Sequence, residues 1–166
     1  MLDDERQAFD EIADPMCHDI AAAIRGKANY LAALGLLEYS EILGGWKRRR
    51  LGERGQGKTN FDEFFSALKL ANPLYAAFEQ ELSTRLCRLE PRDRNVYSAA
   101  RSGLAHRYFM QAKSSVLDNP EDPEGALEYQ PPCGLYFQDD ILTMNTNQYF
   151  QDFNLVVARY RSDEST

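Results

Sequence analysis

The chain has 166 residues with the composition of one globular domain, and its net charge of −7 argues against a broadly basic surface that coats nucleic acid. Its three cysteines lie far apart without CxxC spacing, which argues against a disulfide framework or a zinc site and favours a reducing compartment. The acidic N-terminus carries no signal peptide and no apolar run reaches transmembrane length, so we expect a cytoplasmic protein without a membrane partner.

Helical patterns cover the first quarter of the chain. A short acidic helix is predicted over residues 4–13. Asp14 and Pro15 then predict the start of a second helix, because Asp is a favoured N-cap and Pro is tolerated at the first helical position. Apolar residues continue at helical spacing as far as Gly44 and Gly45, which are predicted to end this helix.

A basic, glycine-rich loop is predicted over residues 44–59. Asn60 with Glu63 resembles a capping box and predicts the start of a phenylalanine-rich helix directly after the loop. The pair Asn72 and Pro73 predicts the start of the next helix, which carries a leucine-rich apolar stripe.

The second half of the chain combines helices with a hairpin. We predict a helix over residues 93–113, an exposed acidic and proline-rich loop over 114–133, a β-hairpin over 134–145 and a final helix. The sequence therefore predicts a mainly α-helical fold. It is a bundle of four to five helices with one C-terminal β-hairpin and a final helix, in a single domain spanning residues 1–166.

Arg101, Ser102 and His106 form the most informative motif, in the middle of the predicted helix 93–113. Histidine titrates near neutral pH, so it can accept a proton from a ribose 2′-hydroxyl or donate one to a leaving group. Arginine stays charged, and its planar guanidinium can bind phosphate oxygens and stabilise charge that develops at phosphorus. Together the two side chains suit RNA cleavage without a metal ion.

An arginine, a polar residue and a histidine at this spacing, on a late helix of a helical bundle, resemble the HEPN superfamily. The resemblance rests on helix order and this one motif, over residues 15–112. It implies a metal-independent endoribonuclease that needs no cofactor and works as a homodimer, with two motifs facing one cleft. Carried over by position, His106 is the acid–base group, Arg101 binds the phosphate and Ser102 is a polar helper.

The spacing of the motif leaves its geometry open. On an ideal α-helix the step from Arg101 to His106 covers about 140° of rotation and about 7.5 Å of rise, so the two side chains do not share one face. The length of the arginine, a local distortion at Gly103, or the combination of groups from two chains of a dimer would each bring them together.

A second motif lies in the basic loop, where Gly52 to Thr59 match the phosphate-loop pattern GxxxxGK[ST]. A Walker A loop follows a buried strand, and here the preceding residues are too basic for one, so a P-loop NTPase is a remote alternative and the match can be accidental. Between Lys47 and Lys58 the loop holds six basic residues and one acid. It therefore offers RNA phosphate contacts through Arg48, Arg49, Arg50 and Lys58.

Two acidic residues are candidates for a supporting role beside the motif. Glu38 and Glu41 follow the apolar stripe of the long second helix and could support Arg101 or His106, although ordinary surface acids have the same pattern.

The alternative function is that of a non-catalytic helical module that binds a nucleotide or a partner protein. The basic loop of one copy could also meet the acidic C-terminal third of a neighbour.

Overall fold

The structure, a computed structural model, describes residues 3–87, 95–102, 114–117, 133–138 and 141–162. It is mainly helical and confirms the predicted fold class. Several helices precede a β-hairpin near the C-terminus, and a final helix follows the hairpin.

The first helix, α1 (Asp3–Arg25), continues through Pro15, so the predicted helix start at Asp14 and Pro15 is wrong. Pro15 lacks the N–H that would bond to the carbonyl of Glu11, but it lies on the exposed side of the helix. The opposite side is buried at every third or fourth position on both sides of the proline, at Phe9, Ala13, Met16 and Ile20. Burial of this continuous stripe outweighs the loss of one hydrogen bond.

The second helix, α2 (Asn29–Lys47), is separated from α1 by a turn in which Lys27 adopts a left-handed backbone with φ of 57°. It extends past Gly44 and Gly45, so the prediction that these glycines end the helix is wrong. Glycine occupies these helical positions because the neighbouring helix approaches closely there and leaves no room for a side chain. A Cβ placed on Gly44 would lie 1.8 Å from the carbonyl oxygen of Asn60.

The next two helices begin at or near the predicted positions. The third helix, α3 (Gly57–Ala71), starts three residues before the predicted capping box, and Asn60 is buried in it rather than capping it. The loop between α2 and α3 is therefore shorter than predicted. The fourth helix, α4 (Leu74–Arg85), begins as predicted, and Asn72 Oδ1 accepts a hydrogen bond from the backbone N–H of Leu74 at 3.1 Å.

A π-helix, Tyr97–Ser102, lies within the predicted helix 93–113. In a π-helix each N–H bonds to the carbonyl five residues earlier, so its turns are wider than those of an α-helix. Before it, Asn95 Oδ1 accepts a hydrogen bond from the backbone N–H of Ser98 at 2.9 Å. The rest of that predicted helix, from 103 onward, lies outside the described residues.

Two strands, β2 (Leu135–Gln138) and β3 (Ile141–Asn145), form the predicted antiparallel hairpin. A further strand, β1 (Ser114–Leu117), pairs in parallel with β3, which is thus the central strand. Strand β1 takes up the first four residues of the loop predicted over 114–133. These residues, SSVL, precede the acids and prolines on which the loop prediction rested, and residues 118–132 lie outside the described part of the chain.

The final helix, α5 (Thr146–Ser162), follows β3 directly. Asn145 caps it, since Asn145 Oδ1 accepts a hydrogen bond from the backbone N–H of Gln148 at 2.9 Å. Helix α5 packs with α1, α2 and α3 around a shared core rich in aromatic residues. At its centre the ring of Phe64 lies 5.1 Å from that of Phe153, measured between centroids.

Candidate functional site

The predicted catalytic motif begins within the π-helix. The backbone of Arg101 and Ser102 belongs to this π-helix. Their side chains and all of His106 lie outside the described residues. What the structure defines is therefore the platform that carries Arg101 and the elements packed against it.

The π-helix is anchored on α3 by an aromatic contact. The rings of Tyr97 and Phe61 meet nearly edge to face, with centroids 5.7 Å apart and an interplanar angle of 61°. The apolar side chains around the start of this π-helix are buried, namely Val96, Ala99 and Ala100. The backbone that leads to Arg101 is thus held against the helical core.

The side chain of Glu41 on α2 lies beside Tyr97 and the start of α3. A Cβ placed on Gly57 would lie 2.7 Å from Glu41 Oε1 and 2.8 Å from the hydroxyl oxygen of Tyr97, so the three groups converge at the start of α3. A carboxylate is favoured beside the N-terminus of a helix, where backbone N–H groups carry partial positive charge. Glu38, the other predicted supporting residue, is also half-buried and lies three positions earlier on α2.

Arg48 joins α2 to α3. Its guanidinium donates hydrogen bonds to Asn60 Oδ1 at 2.6 Å and to Gln56 Oε1 at 3.3 Å. Arg48 is half-buried, and Asn60 is only 6% exposed. Of the four basic residues predicted to contact phosphate, Arg48 is thus engaged in holding the two helices and their loop together.

Replacing Arg48 with alanine is expected to lower the free energy of unfolding by about 1–3 kcal/mol, because it leaves the buried Asn60 carbonyl without this donor. Urea unfolding followed by circular dichroism measures the change. Arg49→Ala is the matched control, since that side chain is 83% exposed and its removal should cost little. Equal losses in the two variants would contradict the structural role of Arg48.

The other three predicted phosphate-contacting residues are exposed and form ion pairs within the chain. Arg49 lies 3.0 Å from Glu5, and Arg50 lies 2.9 Å from Glu53, measured from guanidinium nitrogen to carboxylate oxygen. Lys58 pairs with Asp62 one turn further along α3. Exposed ion pairs of this kind are weak and screened by salt, so these cations remain accessible to an external anion.

The phosphate-loop match does not have the surroundings of a Walker A loop. The segment that precedes it is α2 rather than a buried strand, and the loop connects two helices. Gly52 and Gly55 adopt the left-handed backbone, with φ of 77° and 76°, which shapes the loop as a pair of turns.

A buried polar network around Tyr75 and Asp152 was not predicted from the sequence. The hydroxyl of Tyr75 donates to Asp152 Oδ2 at 2.8 Å and accepts from the backbone N–H of Gly134 at 3.1 Å. Gln148 Nε2 donates to the other oxygen of Asp152 at 3.2 Å. Burial, followed by the charge of Asp152, raises the pKa of Tyr75 well above its ordinary value. The network joins α4, α5 and the residue that precedes β2, which makes it a structural connection.

The described residues hold neither a metal-binding cluster nor a helix suited to crossing a membrane. No group of three or more His, Cys, Asp or Glu side chains there is arranged to hold a metal ion. None of the helices in the described ranges combines the length and the apolar character needed to cross a membrane. Comparisons with protein-family models, with curated protein sequences and with solved structures found no match for the chain.

Proposed function

We propose that the protein is a metal-independent endoribonuclease in which Arg101 and His106 carry the chemistry and Ser102 assists them. The observation that supports this most is the π-helix at Tyr97–Ser102, which includes the backbone of Arg101 and Ser102. Single π-helical turns inside helices occur frequently at functional sites.

The π-helix also bears on the spacing of the motif. On an α-helix, residues five positions apart point about 140° away from each other. A hydrogen-bond repeat of five residues instead brings such residues towards one side of the helix. Arg101 and His106 are five positions apart, so a π-helical repeat that continued beyond Ser102, the last described residue of this segment, would bring them closer to one side than an α-helix does.

The proposed reaction is attack of the ribose 2′-oxygen on the adjacent phosphorus. A neutral histidine accepts the 2′-hydroxyl proton, and a protonated histidine donates one to the 5′-oxygen as the P–O5′ bond breaks. The products are a 2′,3′-cyclic phosphate and a 5′-hydroxyl. Arg101 stabilises the charge that develops on the phosphoryl oxygens. Two copies of His106, facing one cleft in a homodimer, would fill the two proton-transfer roles.

The test is cleavage of total RNA by the purified protein in EDTA. His106→Ala should reduce the cleavage rate by about 10²–10⁴-fold, because it removes the proton-transfer group. His18→Ala is the matched control, since the chain's other histidine lies exposed on α1 and should be dispensable. Light scattering on the same samples reports whether the protein is a dimer.

The outcomes separate the two candidate functions. Cleavage by the parent and by His18→Ala, with new cyclic-phosphate ends and little cleavage by His106→Ala, supports the ribonuclease. A His106→Ala variant that cuts RNA at the parental rate overturns the assignment of that residue. RNA left intact by all three proteins favours a non-catalytic helical module.

A further inference from the structure

The exposed cations of the α2–α3 loop form a surface that we call the basic rim, made up of Arg49, Arg50, Arg54 and Lys58. The side chains of Arg49, Arg50 and Lys58 are 83%, 57% and 49% exposed, and Arg54 is exposed as well. The loop carries one acid, Glu53, whereas the whole chain has a net charge of −7. The loop is therefore basic in sequence, although Glu5, Glu53 and Asp62 pair with three of its cations.

The loop presents these cations on a defined backbone. Arg48, the first residue of the loop, donates a hydrogen bond to Asn60 of α3. Gln56, at the other end of the loop, accepts a hydrogen bond from the same guanidinium. The turns between these points are set by left-handed backbone at Arg49, Gly52 and Gly55. A surface fixed in this way loses less conformational entropy on binding a ligand than a flexible tail would.

The basic rim adjoins the platform of the candidate catalytic motif. Gly57, the residue before Lys58, lies directly against the hydroxyl of Tyr97. Tyr97 begins the π-helix that includes Arg101 and Ser102. Two features that are more than 40 positions apart in the sequence are thus brought side by side by the packing of the π-helix on α3.

We propose that the basic rim binds the phosphodiester backbone of single-stranded RNA and leads the strand to Arg101. This inference rests on the proposed function and adds the substrate-binding surface to it. Arg48 is not part of that surface, because its guanidinium is used between α2 and α3. The acids that now pair with the rim, Glu5, Glu53 and Asp62, are exchanged for phosphates when the strand binds.

The test is binding of a fluorescent 2′-O-methyl RNA oligonucleotide by the full chain in EDTA, followed by anisotropy over a range of salt concentrations. The 2′-O-methyl group blocks cleavage, so binding is measured whether or not the protein is a nuclease. Four phosphate contacts predict a slope of about −2.8 for log affinity against log salt. Raising salt from 50 to 200 mM should thus weaken binding by about 50-fold.

Two variants locate the contact. Arg54→Glu should weaken binding at 100 mM salt by about fivefold or more and make the salt slope shallower, because a phosphate contact is lost. Arg25→Glu removes another exposed arginine and changes the net charge equally, but it lies at the end of α1 near the Lys27 turn. It should change affinity less than twofold if binding is local to the rim.

Each result has a definite meaning. Equal weakening by Arg54→Glu and Arg25→Glu, or no binding by the parent, overturns the proposal for the rim. Binding of polyglutamate in place of the oligonucleotide assigns the rim to an acidic protein and overturns it as well. If RNA cleavage depends on His106 but oligonucleotide binding is unchanged in Arg54→Glu, the ribonuclease proposal is supported and only the proposed role of the basic rim is overturned.

Discussion

The Gly44→Ala variant should lose about 3 kcal/mol or more of unfolding free energy, because a methyl group has no room between α2 and α3. The Cβ would lie 1.8 Å from the carbonyl oxygen of Asn60 and 3.1 Å from the backbone nitrogen of Phe64. Both are backbone atoms of a packed helix, so relief requires the two helices to separate. Chemical denaturation of the purified variant measures the loss, and failure to fold would be its extreme form.

Gly35→Ala on the same helix is the matched control. There the added Cβ would lie 2.7 Å from Cδ1 of Ile20, the far end of a flexible side chain that can rotate away. Alanine also has a higher helix propensity than glycine, by about 1 kcal/mol, which offsets that adjustment. The control should therefore stay within about 1 kcal/mol of the parent. Similar stabilities for the Gly44 and Gly35 variants would show that α2 and α3 are not in backbone contact at Gly44.

Alkaline pH should destabilise the fold from about pH 9 upward. Burial raises the pKa of the Cys133 thiol from 9.0 to about 11, and the nearby charge of Asp152 adds to the shift. Burial likewise raises the pKa values of Tyr75 and Tyr149 above the ordinary tyrosine value of 10.0. The unfolded chain releases these protons first, so it holds fewer protons than the folded chain and the unfolding free energy falls as pH rises.

The contribution of Cys133 can be isolated. Full stability is present below pH 9, and by pH 11 the thiol alone should account for a loss of about 2 kcal/mol, with the tyrosines adding to it above pH 10. Urea unfolding in reducing buffer between pH 7 and 11 measures the dependence. Cys133→Ala should flatten it, whereas replacing the exposed Cys87 should not. An unchanged slope in Cys133→Ala would show that the thiol is not held protonated in the fold.

The elements that could be predicted from sequence are those with local causes. The apolar spacing of the helices, the start of α4 at Asn72 and Pro73, and the β2–β3 hairpin all arise from residues near each other in the chain. The errors at Pro15 and Gly44 have a different origin. Local patterns predict a helix boundary at each residue, but α1 continues past Pro15 because its apolar stripe is buried, and the close backbone of α3 leaves room only for glycine at position 44.

In the candidate site, too, the features with local causes can be predicted from the sequence, and those that depend on tertiary packing cannot. The spacing of Arg101 and His106 is visible in the sequence, whereas the meeting of Glu41 with Tyr97 and Gly57 depends on three elements packing together. The hydrogen bond from Tyr75 to Asp152 spans 77 positions, and each residue looks ordinary on its own helix. The parallel pairing of β1 with β3 joins residues 28 positions apart, so the local pattern of residues 114–117 does not predict it.

The order of strands in the sheet has a consequence for how the chain folds. Strand β3 pairs with β2 across two residues of chain, but with β1 across the 28 positions from Ser114 to Leu142. Because closing a longer loop costs more entropy, the hairpin should form before β1 joins it. The segment that holds Arg101 and His106 leads into β1. The C-terminal end of that segment is therefore fixed only after the hairpin has formed, so the ribonuclease activity that we propose should return later than helical structure.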